Sequence, residues 1–152
     1  FPIIFRFSQW KQQDYNAKLC QTPEELATFL TLLSNAGVDV FHASTRRFWL
    51  PEFEGSDLNL AGWTKKLTNK PVITVGSVGL DSDFTGEGSA DLGGTSNPTG
   101  IEGLLTRLNN DEFDLVAIGR ALLVDPEWVN KIQSNKEDEI SPFNKDALMK
   151  LS

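Results

Sequence analysis

The chain is 152 residues long and carries 21 acidic against 14 basic side chains, a formal net charge of −7. This length suits one domain with its own core, and so acidic a balance argues against nucleic acid or an anionic membrane as a partner. No apolar stretch is long enough to span a membrane, and Cys20 and His42 are single, which excludes a disulfide framework and a metal site of several cysteines or histidines. We expect a cytoplasmic location.

The first predicted element is a strand from Pro2 to Phe7, an apolar run that the chain enters at once. So abrupt a start indicates a piece of a longer protein. A polar loop over residues 9–21 follows. Residues 22–25 (TPEE) then combine a capping Thr, a Pro at the first helical position and a Glu three residues after the cap. These signals predict a helix that ends at Gly37.

Two more short apolar runs, Val38 to Ala43 and Val72 to Val75, predict the second and third strands. A loop over residues 44–58 and a short helix from residue 60 separate them. Such alternation of strand and helix is typical of a parallel sheet with helical crossovers.

The segment from residue 81 to residue 98 is rich in Gly, Ser, Asp and Thr, which favours a flexible loop. It contains no dinucleotide or P-loop fingerprint, because no Gly-x-Gly-x-x-Gly follows a strand and no Lys-Ser/Thr pair closes a glycine run. Thr99 with Glu102 repeats the capping pattern and predicts the start of another helix.

The fourth unit contains a candidate phosphate site. Phe113 to Ile118 is typical of a strand buried on both faces, and it ends at Gly119 and Arg120, before a helical turn over 121–124. Glycine lets backbone amides approach a ligand, arginine offers a fork of donors, and the first N–H groups of a helix favour an anion. The plain alternative is an ordinary strand-to-helix turn with a surface arginine.

A last helix is predicted from Asp125 to Ile132, followed by a polar tail. The tail's candidate docking residues are Pro142, Phe143, Leu148 and Leu151.

The order is therefore four βα units, which fit either a small doubly wound sheet or a (β/α)₄ half of a TIM barrel with its helices outside. Candidate residues at three strand ends favour the barrel, because barrel enzymes collect function at the C-terminal ends of their strands. Phosphate sites in barrels follow strands seven and eight. Residues 1–152 are therefore predicted to be units five to eight, the C-terminal half.

Three stretches carry a resemblance to a known family. PVITVGSVG (71–79) and FDLVAIGRALLVDPEWVNKI (113–132) resemble the closing units of the old yellow enzymes, and IIFRFS (3–8) resembles their fifth strand. The resemblance covers nearly the whole chain in the right order. It implies an FMN-dependent NAD(P)H oxidoreductase, similar to NADH oxidases and 12-oxophytodienoate reductases, that reduces activated alkenes such as enones.

The resemblance also implies which residues bind the cofactor. They are Arg6, Val75, Gly76, Ser77, Gly119 and Arg120. Arg6 would lie against the polar edge of the flavin ring. Gly76 and Ser77 would offer backbone amides to the FMN phosphate, and Gly119 and Arg120 would complete that phosphate site.

The family's catalytic residues are expected to lie outside this chain. In the family, a His-Asn or His-His pair from the fourth strand binds the substrate carbonyl, and a Tyr just beyond donates the proton. Tyr15 and His42 match neither position, so a missing N-terminal half or a homodimer partner is implied. We interpret His42 as a hydrogen-bonded structural residue, with a supporting role facing the flavin as the alternative, and Cys20 as a bystander. Arg46 and Arg47 are either solvated or close over a nicotinamide phosphate or substrate.

Two other functions fit the residues. The chain could be half of a non-flavin phosphate-binding barrel, such as an aldolase or isomerase, which FMN binding would distinguish. It could also be a non-catalytic half-barrel that acts as an assembly module, since half a barrel exposes two sheet edges and an apolar interior.

Overall fold

A four-stranded parallel sheet organises the computed structural model, which describes residues 1–11, 14, 16–82 and 95–149. The strands are β1 (Ile4–Phe7), β2 (Val40–Ser44), β3 (Val72–Val75) and β4 (Leu115–Val116). The α-helices are α1 (Pro23–Asn35), α2 (Leu60–Thr68), α3 (Glu102–Asn109), α4 (Arg120–Val124) and α5 (Trp128–Gln133). Short 3₁₀ turns follow at Glu137–Glu139 and Lys145–Met149. The predicted flexible loop over 81–98 falls mostly on residues 83–94, which lie outside the described residues, as does Tyr15.

Strands that follow one another along the chain are neighbours in the sheet, in the order β1-β2-β3-β4. In this register Arg6 pairs with His42, His42 with Ile73, and Ile73 with Leu115. A doubly wound sheet would reverse direction at a switch point and place helices on both faces. The sequential order confirms four βα units of barrel type.

Helices α1 and α2 pack on one face of the sheet. On that face Phe29 of α1 packs with its ring centroid 5.7 Å from that of Phe7, and Phe41 is fully buried. The opposite face, which we call the open face, is formed by Ile4, Arg6, Val40, His42, Ser44, Ile73, Val75 and Leu115. Its outer apolar side chains, Ile4 and Leu115, are each 56% exposed.

The fourth strand differs from its prediction. β4 contains two residues rather than the predicted Phe113–Ile118, and it is not buried on both faces, because Leu115 lies on the open face. Asp114 explains the polar break in this apolar run. Its carboxylate accepts hydrogen bonds from the backbone N–H of Val72 at 2.8 Å and from Lys65 Nζ at 2.7 Å. Asp114 therefore links the start of β4 to the start of β3.

Capping side chains account for two helix starts. Thr22 Oγ1 accepts from the N–H of Glu25 at 3.3 Å, and the Glu25 carboxylate accepts from the N–H of Gln21 at 2.6 Å. At α2, Asn59 Oδ1 accepts from the N–H of Gly62 at 2.8 Å. Each cap thus binds one of the N–H groups that a helix start leaves unpaired, and Glu25 also binds the N–H of Gln21 just before the α1 cap.

The predicted capping role of Thr99 is wrong. The helix begins at Glu102, with Ile101 before it and no side-chain cap. Thr99 instead donates its backbone N–H to the carbonyl oxygen of Gly79 at 3.1 Å, which holds it in the loop between β3 and α3. The tertiary hydrogen bond to Gly79 thus outweighs the local capping pattern of Thr99 and Glu102.

The tail docks on the rest of the domain through Phe143, which is fully buried. Of the other predicted docking residues, Pro142 and Leu148 are exposed, and Leu151 lies outside the described residues. Asp125 helps to hold the tail, because its carboxylate accepts from the N–H of Ser141 at 3.4 Å and from Lys131 Nζ at 2.6 Å. None of the described helices, the longest having 13 residues, is both long and apolar enough to cross a membrane.

Candidate functional site

The C-terminal ends of the four strands surround a cavity of about 350 Å³. All six predicted cofactor residues line it: Arg6, Val75, Gly76, Ser77, Gly119 and Arg120. The other lining residues are Trp10, Ser44, Thr45, Arg46, Val78, Leu80 and Ala117. A volume of this size is within the range of small-molecule sites. The fold thus brings the predicted residues together, while their binding roles stay predictions.

The turn after β3 is tightly built. Gly76 has φ +150° and Ser77 has φ +51°, so two consecutive residues adopt positive φ. A Cβ added at Gly76 would lie 2.5 Å from Thr45 Oγ1, which donates a hydrogen bond to the carbonyl oxygen of Val75 at 2.8 Å. Only glycine allows β2 and β3 to end so close together. This contact fixes the direction in which the following backbone amides point.

Arg120 extends its guanidinium across the cavity wall. Nη1 donates to Ser96 Oγ at 2.9 Å, and Nη2 donates to Ser77 Oγ at 3.1 Å and to the carbonyl oxygen of Ser82 at 2.6 Å. Three bonds to separate segments hold the planar fork in one orientation. α4 is only five residues long, so the side chain contributes more positive charge here than the helix dipole does.

Arg6 lies at the other side of the cavity, where Nη2 donates to Ser44 Oγ at 3.1 Å. Its sheet neighbour His42 is half-buried, and burial lowers the pKa of that imidazole, with a further lowering from the Arg6 charge. His42 is therefore neutral at neutral pH, and its Nε2 has no hydrogen-bond partner among the described residues. His42 does not line the cavity, in keeping with a structural role.

The charge of the cavity is opposite to that of the chain. Three arginines, Arg6, Arg46 and Arg120, are among the described lining residues, and no acidic side chain is. The chain as a whole has a net charge of −7. A cleft lined by one sign of charge concentrates ligands of the opposite sign. The cavity is therefore suited to an anionic ligand.

A second cavity of about 260 Å³ adjoins the first, and Arg46 lines both. Arg47, Lys18 and Glu52 also line this second cavity. Burial raises the pKa of Glu52, although Lys18 Nζ at 3.3 Å and a hydrogen bond from Gln9 oppose the rise. Arg46 and Arg47 therefore extend the basic surface away from the strand ends. The nearby Glu52 carboxyl group is already bound by Lys18 and Gln9.

Several residues of the site escape sequence reasoning. Ser44 ends β2 and Thr45 directly follows it, so the rule that selects Gly76 could have selected them too. Trp10 comes from the loop after β1, which carries no motif. The Ser96 hydroxyl accepts a hydrogen bond from Arg120, and its oxygen lies 2.6 Å from that of Ser82, which is 14 residues earlier in the chain. No local pattern announces such a contact.

Two known proteins that are similar to this chain are oxidoreductases by name. No family model matches the chain. Bilirubin reductase from Clostridium symbiosum (strain WAL-14163) is 33% identical over 151 residues, which cover 91% of this chain and 35% of that protein. NADH oxidase from Thermoanaerobacter brockii is 30% identical over 148 residues, 92% of this chain and 19% of that protein. The chain thus spans about a third and about a fifth of these relatives.

Solved structures show the same fold. Morphinone reductase in complex with tetrahydroNAD superposes with a TM-score of 0.52 and 12% identity, over 88% of this chain and 29% of that one. A mutant of that enzyme in the same complex gives a TM-score of 0.54 and 11% identity, over 93% and 30%. Morphinone reductase is an old yellow enzyme. The chain is thus similar to the old yellow enzymes. Its strands and helices match part of the TIM barrel of that enzyme, which confirms the predicted resemblance and fold class.

Proposed function

We propose that this old yellow enzyme-like chain is the FMN-binding half of an NAD(P)H-dependent oxidoreductase that reduces activated alkenes such as enones. The observation that carries the proposal is a cavity at the strand ends whose described lining residues include three arginines and no carboxylate. The names of the relatives, bilirubin reductase and NADH oxidase, support an oxidoreductase. Morphinone reductase in complex with tetrahydroNAD supports a nicotinamide reductant.

The phosphate end of FMN would bind between the turn after β3 and the start of α4. Arg120 supplies a charged fork, and the turn at Gly76 and Ser77 supplies backbone amides. A Cβ added at Gly119 would meet no atom within 4 Å, so the backbone there is open to a close approach. These donors fit a doubly charged phosphate.

The ring end of FMN would meet Arg6. When bound, FMN would take hydride from NAD(P)H and pass it to the alkene. Arg6 would orient the polar edge of the ring and stabilise negative charge on it, because its guanidinium lines the cavity at the end of β1. Ser44 Oγ, which accepts a hydrogen bond from Arg6 Nη2 at 3.1 Å, would hold the guanidinium in place.

The substrate-binding pair and the proton donor would come from the part of the barrel that these 152 residues do not include. We place the chain as units five to eight, with the open face against the missing half or against a second copy. The 56% exposure of both Ile4 and Leu115 supports such a partner. The complete enzyme would work in the cytoplasm.

The test is a fluorescence titration of the purified chain with FMN and, separately, with riboflavin, which lacks the phosphate. We expect saturable binding and tighter binding of FMN. Arg120→Ala should weaken FMN binding about ten- to hundredfold, since a charged hydrogen bond contributes ~1.5–3 kcal/mol, and it should leave riboflavin unchanged. Lys136→Ala removes an exposed charge outside the cavity and should change neither FMN binding nor riboflavin binding.

Other results would contradict the proposal in different ways. A folded chain that binds neither flavin would show that these residues do not suffice for a flavin site. Saturable binding of inorganic phosphate or a sugar phosphate without flavin binding would favour the aldolase- or isomerase-like alternative. Steady reduction of an enone by the pure chain with FMN and NADPH would refute the placement of the catalytic residues outside the chain.

A further inference from the structure

The C-terminal tail reaches the candidate phosphate site through a two-bond bridge. The N–H of Ser96 donates to the carbonyl oxygen of Phe143 at 3.0 Å, and the N–H of Phe143 donates to the carbonyl oxygen of Ser96 at 2.8 Å. Both residues are fully buried. The tail is therefore part of the wall behind the cavity, although Phe143 does not itself line the cavity.

Phe143 supports Arg120 in two ways, by a direct contact of its ring and by holding Ser96, which binds Arg120. Its ring centroid lies 5.3 Å from Arg120 Cζ, within the range of a cation–π contact. Its backbone holds Ser96, whose hydroxyl accepts from Arg120 Nη1 at 2.9 Å. One tail residue thus supports the guanidinium from the ring side and fixes one of its hydrogen-bond acceptors.

We propose that Phe143 is a positioning residue that aims the Arg120 fork and so makes the cavity select phosphorylated over unphosphorylated flavin. This inference rests on the proposed function. An arginine side chain has several rotatable bonds, and a fork that must be ordered on binding loses affinity. The Phe143 ring and the bridged Ser96 order the fork before the phosphate arrives.

The opposing interpretation is that Phe143 is only a buried anchor for the tail. Loss of the Phe143 ring would then destabilise the domain and weaken the binding of FMN and of riboflavin by the same factor. The ratio of riboflavin Kd to FMN Kd separates the two interpretations, because only the phosphate contact distinguishes the ligands. Overall stability does not enter that ratio.

The experiment measures both dissociation constants for the chain and for Phe143→Leu, which keeps apolar bulk but removes the aromatic face. We expect FMN binding to weaken about three- to tenfold, the size of a partly desolvated cation–π contact, with riboflavin binding unchanged. Phe143→Tyr retains the ring and should retain the ratio. Phe113→Leu is the matched control, since Phe113 is equally buried and is not among the lining residues.

Each remaining outcome contradicts a definite statement. If Phe143→Leu weakens FMN and riboflavin equally, or leaves the ratio at its original value, Phe143 does not aim Arg120. If the unmodified chain binds FMN no more tightly than riboflavin, the phosphate site itself is wrong, and the role of Phe143 with it. Thermal unfolding of each variant, followed without ligand, shows whether a lost signal reflects lost folding. Phe143→Met also keeps apolar bulk without an aromatic face, and it replaces the leucine variant, with the same expected fall in the ratio, if the leucine variant does not fold.

Discussion

Gly76 approaches Thr45 so closely that a Cβ added to the glycine would lie 2.5 Å from the threonine Oγ1 and 2.7 Å from its carbonyl oxygen. The backbone at Gly76 also has φ +150°, a conformation that other residues rarely adopt. Gly76→Ala should therefore lower the free energy of unfolding by about 2–4 kcal/mol, through overpacking and backbone strain. Urea unfolding followed by tryptophan fluorescence measures the change.

Gly103→Ala is the control for that substitution. Gly103 lies in α3, and a Cβ there would meet no atom within 4 Å. Alanine should stabilise the helix by at most about 1 kcal/mol. Equal effects at the two glycines would mean that the contact with Thr45 does not constrain the turn.

The open face should cause the isolated chain to self-associate. Leu115, on the edge strand β4, is 56% exposed on that face, and burying a leucine contributes about 1.5–3 kcal/mol. Leu115→Lys should weaken association at least about tenfold, as measured by sedimentation equilibrium. Leu32→Lys, at an exposed position on α1, is the control. A monodisperse monomer before any substitution would argue against the open face as an interface.

Asp125 should stabilise the domain in a pH-dependent way. Burial raises the pKa of its carboxyl group, but hydrogen bonds from Lys131, Ser141 and Glu127 outweigh burial and hold that pKa below 3.8. The stabilisation is then fully present above pH 3.8 and is lost as the pH falls through the lower folded pKa. Asp125→Asn should reduce the free energy of unfolding at pH 7 by about 1–3 kcal/mol.

The difference between the chain and Asp125→Asn should shrink as urea unfolding is repeated at falling pH, towards pH 3. Lys136→Ala is the control, because its ion pair with Glu139 is exposed and should contribute under about 0.5 kcal/mol. A difference that stays constant with pH would show that the carboxylate charge is not what stabilises the tail.

Cys20 should be unreactive in the folded chain. The residue is 4% exposed, and burial raises the pKa of its thiol, with further raising by Glu25 and Glu52. A thiol reagent such as DTNB should label it far more slowly than it labels the urea-unfolded chain, because the thiolate is the reacting form. Gln9→Ala should accelerate labelling, since the Gln9 amide binds both the N–H and the carbonyl oxygen of Cys20. Equal rates before and after unfolding would contradict the burial.

Much of the fold is predictable because its signals are local. The cap at Thr22, the proline that follows it and the apolar run at Val72 to Val75 depend on neighbours in sequence, and α1 and β3 begin where those signals place them. The candidate site is predictable for a similar reason. Parallel strands bring their C-terminal ends to one edge, so Arg6, Gly76 and Arg120 meet even though they are distant along the chain.

The rest depends on contacts that no short stretch encodes. An apolar run such as Phe113 to Ile118 has the same sequence pattern whether another part of a barrel covers it or not, so the exposure of Leu115 could not be read from it. The capping pattern at Thr99 fails because Gly79 binds the threonine backbone. The pairing of Ser96 with Phe143 joins residues that only the folded chain brings together.

Asp81 pairs with Asn97 and Ser82 pairs with Ser96, so the geometry of the cavity wall does not depend on the length of the segment between Ser82 and Ser96. Asp81 accepts hydrogen bonds from the N–H and the side-chain amide of Asn97, each at 2.9 Å, and the Ser82 and Ser96 hydroxyl oxygens lie 2.6 Å apart. Because these hydrogen bonds already join the two ends, a segment of another length or sequence could connect Ser82 and Ser96 without moving Arg120. The position between Ser82 and Ser96 is thus a natural place to graft a peptide tag or a sensor domain beside the cavity.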